Sequence, residues 1–299
     1  MSARDRSARI EEVRTEDGAV LHVTAGVAGR PVMLLHGLGY VSWAAELLRT
    51  SLRPELALCT VDNRGTGRST RGASPISIEV LARDAAEVLT SLGGAEPMPV
   101  IGYSMGGYIA QLLAVTRPDL VSAVILIGTS GGGASAVPVP EPTRRAWLDA
   151  AHLPPEEYAA RTMPLSFREG WPAAHPVDYE RILSARLEHP TSPEVWREQY
   201  DACECFLRDG YDRSALTAPV LILHGAADRV VPVENGRALA RLLPHARYRE
   251  VPGAGHLLHL EQLTFVADEI RRFLSTTNHN LTTIRNPTAI RNPTITHNP

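Results

Sequence analysis

The sequence predicts an α/β protein with a mostly parallel central sheet, helices on both faces of that sheet, and an inserted helical segment. The first observation is that short apolar runs alternate with amphipathic runs, which is the pattern of successive β-α units. The second is that the apolar runs are continuous, as expected of parallel strands covered on both faces. The third is that this alternation stops near residue 131 and resumes near residue 218.

The elements before and after the interruption can be predicted in chain order. An antiparallel hairpin is expected first, because two strand-like runs flank the turn sequence Glu-Asp-Gly-Ala at residues 16–19. The clearest helical spacing lies at residues 78–92, where the apolar side chains share one face. The other predicted strands are 31–35, 56–61, 98–101, 121–127, 219–223 and 248–251, and the other predicted helices are 43–52, 107–114, 235–243 and 265–274.

Three regions of different character follow from this pattern. Residues 1–130 and 218–275 are predicted to form the α/β core. Residues 131–217 carry ten of the 23 prolines and nine of the 16 aromatic residues without a buried strand pattern, so we predict short helices forming a cap, or lid, over the core. Residues 276–299 repeat the sequence Ile-Arg-Asn-Pro-Thr with a period of six, and we predict a disordered tail.

Composition excludes several classes of function. The net charge is −3, with 30 basic and 33 acidic side chains, so nucleic acid is not an expected partner. No window of 18 apolar residues is present, and no membrane span is predicted. The three cysteines include Cys203 and Cys205, which are too close for an easy disulfide, and free thiols favour a cytoplasmic protein. No histidine spacing predicts a metal site, and no cofactor is expected.

The pentapeptide Gly-Tyr-Ser-Met-Gly at residues 102–106 carries the main indication of chemistry. It lies between a predicted strand and a predicted helix and has the form G-x-S-x-G. A serine hydroxyl becomes a useful nucleophile when a sharp turn exposes it and a base takes its proton. Ser104 is therefore the candidate nucleophile.

The base and its orienting carboxylate are expected at other strand ends. His256 follows the last predicted strand, and Asp228 follows the strand predicted at residues 219–223. His259 is an alternative base, and Asp212 and Glu234 are alternative acids.

Taken together, these motifs resemble the α/β-hydrolase superfamily, in particular capped serine esterases and enol-lactonases. The matching pieces occur in the family's order over almost the whole chain outside the tail. They are His-Gly-Leu-Gly at 36–39, Asp-Asn-Arg-Gly-Thr-Gly-Arg-Ser at 62–69, the pentapeptide at 102–106, His-Gly-Ala-Ala-Asp at 224–228 with Val-Pro at 231–232, and Gly-His at 255–256.

The resemblance implies a catalytic triad of Ser104, His256 and Asp228 and an oxyanion hole formed by the backbone amides of Leu38 and Met105. It also implies hydrolysis of a small carboxylic ester, lactone or thioester through an acyl-enzyme. The substrate would be a small molecule with an apolar portion, and the oligomeric state stays open. One alternative is carbon–carbon bond hydrolysis of a diketone or dienone acid by the same triad. Another is a ligand-binding member with slow or no turnover.

Other motif residues have structural interpretations. His36 and His224 are expected to bond loop backbone, and Asp62 and Arg64 to hold the glycine-rich loop, although a substrate role for Arg64 stays open. Cys203 and Cys205 are expected to pack within a helix. The aromatic residues of the predicted cap could form its own core or line a pocket; they are Trp147, Trp171, Trp196 and Phe206.

Overall fold

The protein contains an eight-stranded sheet in the order β1-β2-β4-β3-β5-β6-β7-β8. A computed structural model describes residues 8–92 and 96–285, and for residues 278–285 only the backbone. The first two strands are antiparallel to their neighbours, and the strands from β4 to β8 along the sheet order run parallel. The strands are β1 (Ala8–Arg14), β2 (Val20–Gly26), β3 (Arg30–Leu35), β4 (Leu56–Val61), β5 (Met98–Tyr103), β6 (Val121–Ile127), β7 (Val220–Gly225) and β8 (Arg247–Val251).

Helices cover both faces of the sheet, and a separate buried apolar cluster lies under each layer. Leu81, Ile109 and Leu239 belong to one cluster, and Leu48 and Ile270 belong to the other. The helices are α1 (Glu46–Leu52), α2 (Ile78–Ser91), α3 (Met105–Thr116), α4 (Glu141–Ala150), α5 (Pro155–Thr162), α6 (Trp171–Ala174), α7 (Pro176–Glu188), α8 (Pro193–Asp209), α9 (Val233–Leu242), α10 (Leu258–Glu261) and α11 (Leu263–Arg285). Among the helices of the described residues, none is both long and apolar enough to cross a membrane.

The central strands are buried along their whole length because both faces of the sheet are covered. Every residue of β4, β5 and β7 is buried, which explains their continuous apolar sequences. The predicted fold class is thereby confirmed. Between β6 and β7, all of residues 131–217 are described, and their regular elements are helices α4–α8 with short 3₁₀ turns. Their separation as a cap domain stays a prediction.

Two predicted helices differ from the structure. The segment predicted as a helix over residues 43–52 begins with a 3₁₀ turn at Ser42–Ala45 and becomes α-helical only at Glu46. The last helix extends to Arg285 rather than ending at residue 274. The backbone is thus helical up to Arg285, and the disordered tail over residues 276–299 stays a prediction. Residues 286–299 lie outside the described residues.

A buried arginine joins the antiparallel hairpin to the parallel part of the protein. The Arg64 side chain is 2% exposed and donates to Asp84 on α2 and to Asp17 in the β1–β2 turn. The shortest nitrogen–oxygen distances are 2.6 Å to Asp84 and 2.7 Å to Asp17. Arg64 also donates to the backbone carbonyls of Arg71 and Ser74 at 3.4 and 3.3 Å. These bonds tie the glycine-rich loop to α2 and to the β1–β2 turn, in line with the predicted role of Arg64, and two carboxylates balance its charge.

Substitution of this arginine tests the importance of the ion-pair cluster. We expect Arg64→Met to lower the free energy of unfolding by about 3–5 kcal/mol, because the Asp84 carboxylate would remain buried without its partner. Arg117→Met is the matched control, since its partner Asp119 is 60% exposed and such surface pairs contribute about 0–1 kcal/mol. Urea unfolding of both variants measures the difference. Equal midpoints for the two variants would contradict this role for Arg64.

Candidate active site

The turn between β5 and α3 holds Ser104 in a strained backbone conformation. Ser104 has φ 54° and ψ −120°, and it is the one non-glycine residue with positive φ in the described part of the chain. Such a conformation costs about 1–3 kcal/mol and persists only where the surroundings enforce it. Neighbouring glycines permit it, because a Cβ on Gly106 would lie 2.0 Å from the Leu35 carbonyl oxygen, and one on Gly102 would lie 2.3 Å from the Gly106 oxygen.

Hydrogen bonds fix the backbone of this turn and leave the serine side chain available. The Ser104 amide donates to the Ile127 carbonyl at 2.9 Å, and its own carbonyl accepts from the Gly107 amide at 2.8 Å. The Thr129 hydroxyl donates to the same carbonyl at 2.8 Å. Although Ser104 occupies the N-cap position of α3, its hydroxyl makes no capping bond. The serine oxygen is therefore free to interact with a base.

The structure brings Ser104, His256 and Asp228 together in one hydrogen-bonded row. His256 Nε2 lies 3.0 Å from Ser104 Oγ, and His256 Nδ1 lies 2.8 Å from Asp228 Oδ2. An ionised carboxylate can only accept, so the proton of the neutral imidazole belongs on Nδ1. Nε2 then carries the lone pair that accepts the serine proton. This is the geometry that a serine nucleophile and its general base require.

The Asp228 carboxylate is fully enclosed and remains ionised. Its Oδ1 accepts from the backbone amides of Val230 and Val231, both at 2.8 Å. Burial alone would raise the pKa of Asp228, but the attraction of His256 and hydrogen bonds from His224 and His256 lower the pKa to about 2. The carboxylate therefore keeps its charge over the whole physiological range.

The alternative residues considered from the sequence lie elsewhere. His259 is buried on α10 against the ring of Tyr103, at a centroid distance of 4.5 Å, and its Nδ1 has no hydrogen-bond partner in the described part of the chain. Asp212 accepts from the Ser214 amide in an exposed turn. Glu234 is 55% exposed and lies 3.7 Å from Arg237. None of the three is bonded to His256 or Ser104.

The loop after β3 approaches Ser104 and leaves one of its amides free. A Cβ on Gly37 would lie 3.1 Å from the Ser104 Cβ, so the two backbones are adjacent. The Gly39 amide donates to Gln199 Oε1 at 2.9 Å, and the Tyr40 amide donates to the Gly37 carbonyl at 3.1 Å. The amides of Leu38 and Met105, by contrast, donate to no acceptor within residues 8–92 and 96–285. Both are available to a ligand beside Ser104.

Three polar side chains that the sequence did not single out hold the loops of the site. Gln199 is fully buried on α8, and its Oε1 accepts from the Gly39 amide. Thr191 Oγ1 donates to the Gly39 carbonyl at 3.2 Å. Glu261 Oε1 accepts from the amides of Gly255 and Arg168 at 3.1 and 3.0 Å, next to His256. The signal for Gln199 was a polar residue on the apolar face of an amphipathic helix.

A cavity lined by residues of the core and of the inserted segment lies over Ser104 and His256. Trp147 and Trp196 line it, whereas Trp171 stacks on Phe167 and Phe206 stacks on Tyr108, both at 4.5 Å. The aromatic residues of the segment therefore divide between pocket and packing. Lining residues that the sequence did not indicate are Tyr40, Tyr103, Tyr158, Thr162, Ser166, Arg186 and Val230.

The remaining motif residues have structural roles. His224 Nε2 donates to the Val231 carbonyl at 2.8 Å, as predicted. Asp62 accepts from the amides of Ser42 and Arg68 at 2.8 and 3.2 Å, which holds the glycine-rich loop. His36 is buried, but its Nε2 has no partner among the described residues, so the predicted bond to loop backbone is not found at that atom.

The three cysteines are free thiols. Cys203 packs in the core as predicted, whereas Cys205 is exposed, so the prediction of helix packing is wrong for that residue. Within the described ranges, no group of three or more His, Cys, Asp or Glu side chains is arranged to hold a metal ion.

Comparison with known proteins shows the family to which the chain belongs. Residues 28–263 match the family model described as serine aminopeptidase, S33, which covers more than half of the chain. The chain therefore belongs to this family of the α/β-hydrolase superfamily, and the protein is a hydrolase of the α/β-hydrolase type.

Individual relatives are similar over most of their length. The chain is 30% identical to a Mycobacterium tuberculosis protein provisionally named non-heme bromoperoxidase BpoC, over 83% of this chain and 95% of that protein. A thermophilic esterase from Thermogutta terrifontis, solved with malate bound, is 28% identical with a TM-score of 0.76, covering 90% of this chain and 99% of that one. Esterase RhEst1 from Rhodococcus sp. ECU1013 is 25% identical with a TM-score of 0.75, at 90% and 99% coverage.

The buried ionisable groups of the site predict how stability depends on pH. Burial lowers the pKa of His36 to about 4, and burial together with the charges of His256 and His36 lowers the pKa of His259 to about 3. The unfolded chain binds protons at these histidines below about pH 6.5, whereas the folded chain excludes them. The free energy of unfolding should therefore fall as the pH drops from about 6.5 to 4. Protonation of Asp228 removes further stability between about pH 3.8 and 2.

Urea unfolding at a series of pH values tests this expectation. Each excluded proton contributes a slope of at most about 1.4 kcal/mol per pH unit. The variant His259→Leu should show a shallower slope between pH 6.5 and 4 than the wild type, whatever its absolute stability. An unchanged slope would mean that His259 is protonated inside the folded protein.

Proposed function

We propose that this protein is a serine hydrolase that cleaves a small carboxylic ester, lactone or thioester through an acyl-enzyme. The observation that carries the proposal is the row in which His256 Nε2 lies 3.0 Å from Ser104 Oγ while Nδ1 lies 2.8 Å from Asp228. In this proposal Ser104 is the nucleophile, His256 the general acid and base, and Asp228 the orienting carboxylate.

The reaction proceeds in two half-reactions. His256 Nε2 accepts the hydroxyl proton while Ser104 Oγ attacks the carbonyl carbon, and the protonated imidazole then gives that proton to the leaving alcohol or thiol. A water molecule then attacks the acyl carbon while His256 Nε2 takes one of its protons, and the protonated imidazole returns that proton to Ser104 Oγ as the bond between Oγ and the acyl carbon breaks and the acid product leaves. The ionised Asp228 stabilises the positive imidazole that forms in both steps.

The oxyanion of each tetrahedral intermediate would be held by the amides of Leu38 and Met105. Their lack of other acceptors supports this assignment, as does the position of Met105 at the N-terminus of α3, where helix amides have no intrahelical partner. The bond from Gly39 to Gln199 excludes the next amide of the loop from the same role. Loss of one oxyanion donor typically costs about 10²–10³ in kcat.

The cavity favours a substrate with an apolar portion. Leu38, Trp147, Trp196 and Val230 contribute apolar wall beside Ser104, and such walls bind alkyl or aryl groups. Two of the relatives compared above are described as esterases, which favours ester cleavage over the other reactions of this fold. Carbon–carbon bond hydrolysis and ligand binding without turnover are the outcomes that would replace this proposal.

Removal of the nucleophile gives the most direct test. We expect Ser104→Ala to lower kcat by at least about 10³-fold on a panel of short-chain esters, lactones and thioesters, because no other group can form the acyl intermediate. Ser91→Ala, on the exposed end of α2, is the matched control and should retain full activity. Mass spectrometry of rapidly quenched enzyme should show the acyl group on residue 104.

The other possible results of this experiment distinguish the proposed mechanism from its alternatives. Turnover that survives Ser104→Ala would disprove the mechanism. Absence of turnover by the wild type on the whole panel, with products formed only from a diketone or dienone acid, would favour carbon–carbon bond hydrolysis. Absence of turnover on both sets, with binding retained, would favour a ligand-binding protein.

A second prediction concerns the hydrogen bond from the Gly39 amide to Gln199, which holds the loop after β3 that carries the Leu38 amide. We expect Gln199→Leu to lower kcat by about 10- to 100-fold with a smaller change in KM, because a misplaced Leu38 amide is felt mainly in the transition state. Asp201→Ala, an exposed position on the same helix, is the control. Steady-state kinetics of both variants provides the measurement, and a change confined to KM would contradict a positioning role for Gln199.

A further inference from the structure

We propose that Arg186 binds a carboxylate of the substrate, so that the preferred substrates are esters whose acyl or alcohol portion carries a carboxylate group. This inference deepens the proposed function and rests on it. It concerns a residue of α7 that no sequence motif indicated. It depends on the position of that residue at the wall of the cavity that contains Ser104, on its contacts with two aromatic rings, and on the absence of an acidic partner among the described residues.

Arg186 lies at the wall of the cavity that contains Ser104 and His256. Its side chain is half-buried, and its guanidinium carbon lies 4.9 Å from the ring centre of Tyr40 and 5.7 Å from that of Tyr158. Contacts with two aromatic faces fix the position of the cation while leaving its N–H groups, which lie in the guanidinium plane, without acceptors. The guanidinium is therefore held in place for a ligand.

The protein itself provides no carboxylate for this cation. Arg186 makes no hydrogen bond and no ion pair with any residue of the described ranges. Its helix offers no acidic neighbour, because the residues three and four positions away on either side are Ile182, Leu183, His189 and Pro190. Six other arginines of the inserted segment are paired with acids, as in Arg181 with Asp178, Arg168 with Glu261, and Arg208 with Asp209. Arg197 and Arg213 also have no carboxylate partner among the described residues, but neither of them lines this cavity.

A short series of contacts joins Arg186 to the reacting groups. Tyr40 contacts Arg186 on one side and Tyr103 on the other, with a distance of 5.9 Å between the two ring centres. Tyr103 directly precedes Ser104, and its ring lies 5.1 Å from that of His256. The hydroxyls of Tyr40 and Tyr103 are buried without a hydrogen-bond partner in the described part of the chain. An anion near Arg186 would thus lie in the same cavity as the scissile bond.

The chemistry of the cavity favours a carboxylate over a more highly charged anion. Arg186 is the one Lys or Arg side chain among the described residues that line it. A single guanidinium balances the charge of one carboxylate and can bind both of its oxygens in parallel. Arg186, Tyr158 and Trp196 also line a neighbouring cavity, so Arg186 lies where the two cavities adjoin.

Paired substrates test this inference. We would compare kcat/KM for p-nitrophenyl hemiglutarate with that for p-nitrophenyl pentanoate, which has a neutral acyl group of similar length. A second pair carries the charge in the alcohol portion, as in the acetate esters of 4-hydroxybutyrate and of butanol. The wild type should prefer the charged member of at least one pair by about tenfold or more, since hydrogen bonds between charged groups in an enclosed site reach that size.

The variant Arg186→Met removes the charge and keeps most of the volume. It should reduce that preference at least about tenfold, mainly through KM, and Arg186→Lys should restore part of it. Arg181→Met is the control, because Arg181 lies on the same helix but is 60% exposed and paired with Asp178. Equal losses on charged and neutral esters, or a wild type without preference in either pair, would overturn the inference and leave Arg186 as a packing residue.

A binding measurement separates this inference from the proposed function. Glutarate should bind the wild type and Ser104→Ala alike, and Arg186→Met should weaken that binding at least about tenfold in calorimetric titration. If glutarate binds through Arg186 but no ester is cleaved, the proposed function fails while the anion site stands. If esters are cleaved but glutarate binding is absent or unaffected by Arg186→Met, the anion site fails while the proposed function stands.

Discussion

The approach of two backbones at the β5–α3 turn is the constraint on which the site depends. At this turn, where Ser104 has positive φ, the end of β3 packs directly against Gly106, and a Cβ there would lie 2.0 Å from the Leu35 carbonyl oxygen. The parallel pairing of β3 with β5 sets this distance. The sheet register therefore determines where the serine oxygen lies, and the cost of the strained turn is offset by the buried strands on both sides.

The base, its carboxylate and the loop after β3 are each held by hydrogen bonds inside the protein. Asp228 stays ionised in a buried position only because two amides and His256 satisfy its oxygens. The histidine loop is in turn held to the inserted segment through Glu261, and the loop after β3 is held through Gln199. Movements of the inserted segment would thus be transmitted to both the base and the proposed oxyanion donors, and not only to the substrate pocket.

Much of this arrangement is predictable from sequence because it is encoded locally. The strands are continuous apolar runs, and Ser104, Asp228 and His256 each follow a strand that ends at the same edge of the sheet. The inserted segment is different, since its pocket depends on how short helices pack. Trp147 and Trp171 both lie in this segment, yet one lines the cavity and the other stacks on Phe167. Arg186 gave no signal, because only tertiary packing reveals that it has no acidic partner.

The central claim is that Ser104 is activated by His256 in the folded protein, and labelling by a fluorophosphonate tests it most directly. Such a reagent phosphonylates a serine whose proton is taken by a neighbouring base, without requiring knowledge of the substrate. Stoichiometric labelling at residue 104 alone is expected, at a rate that falls steeply in His256→Ala. Labelling at another residue, or at an unchanged rate without the histidine, would contradict it.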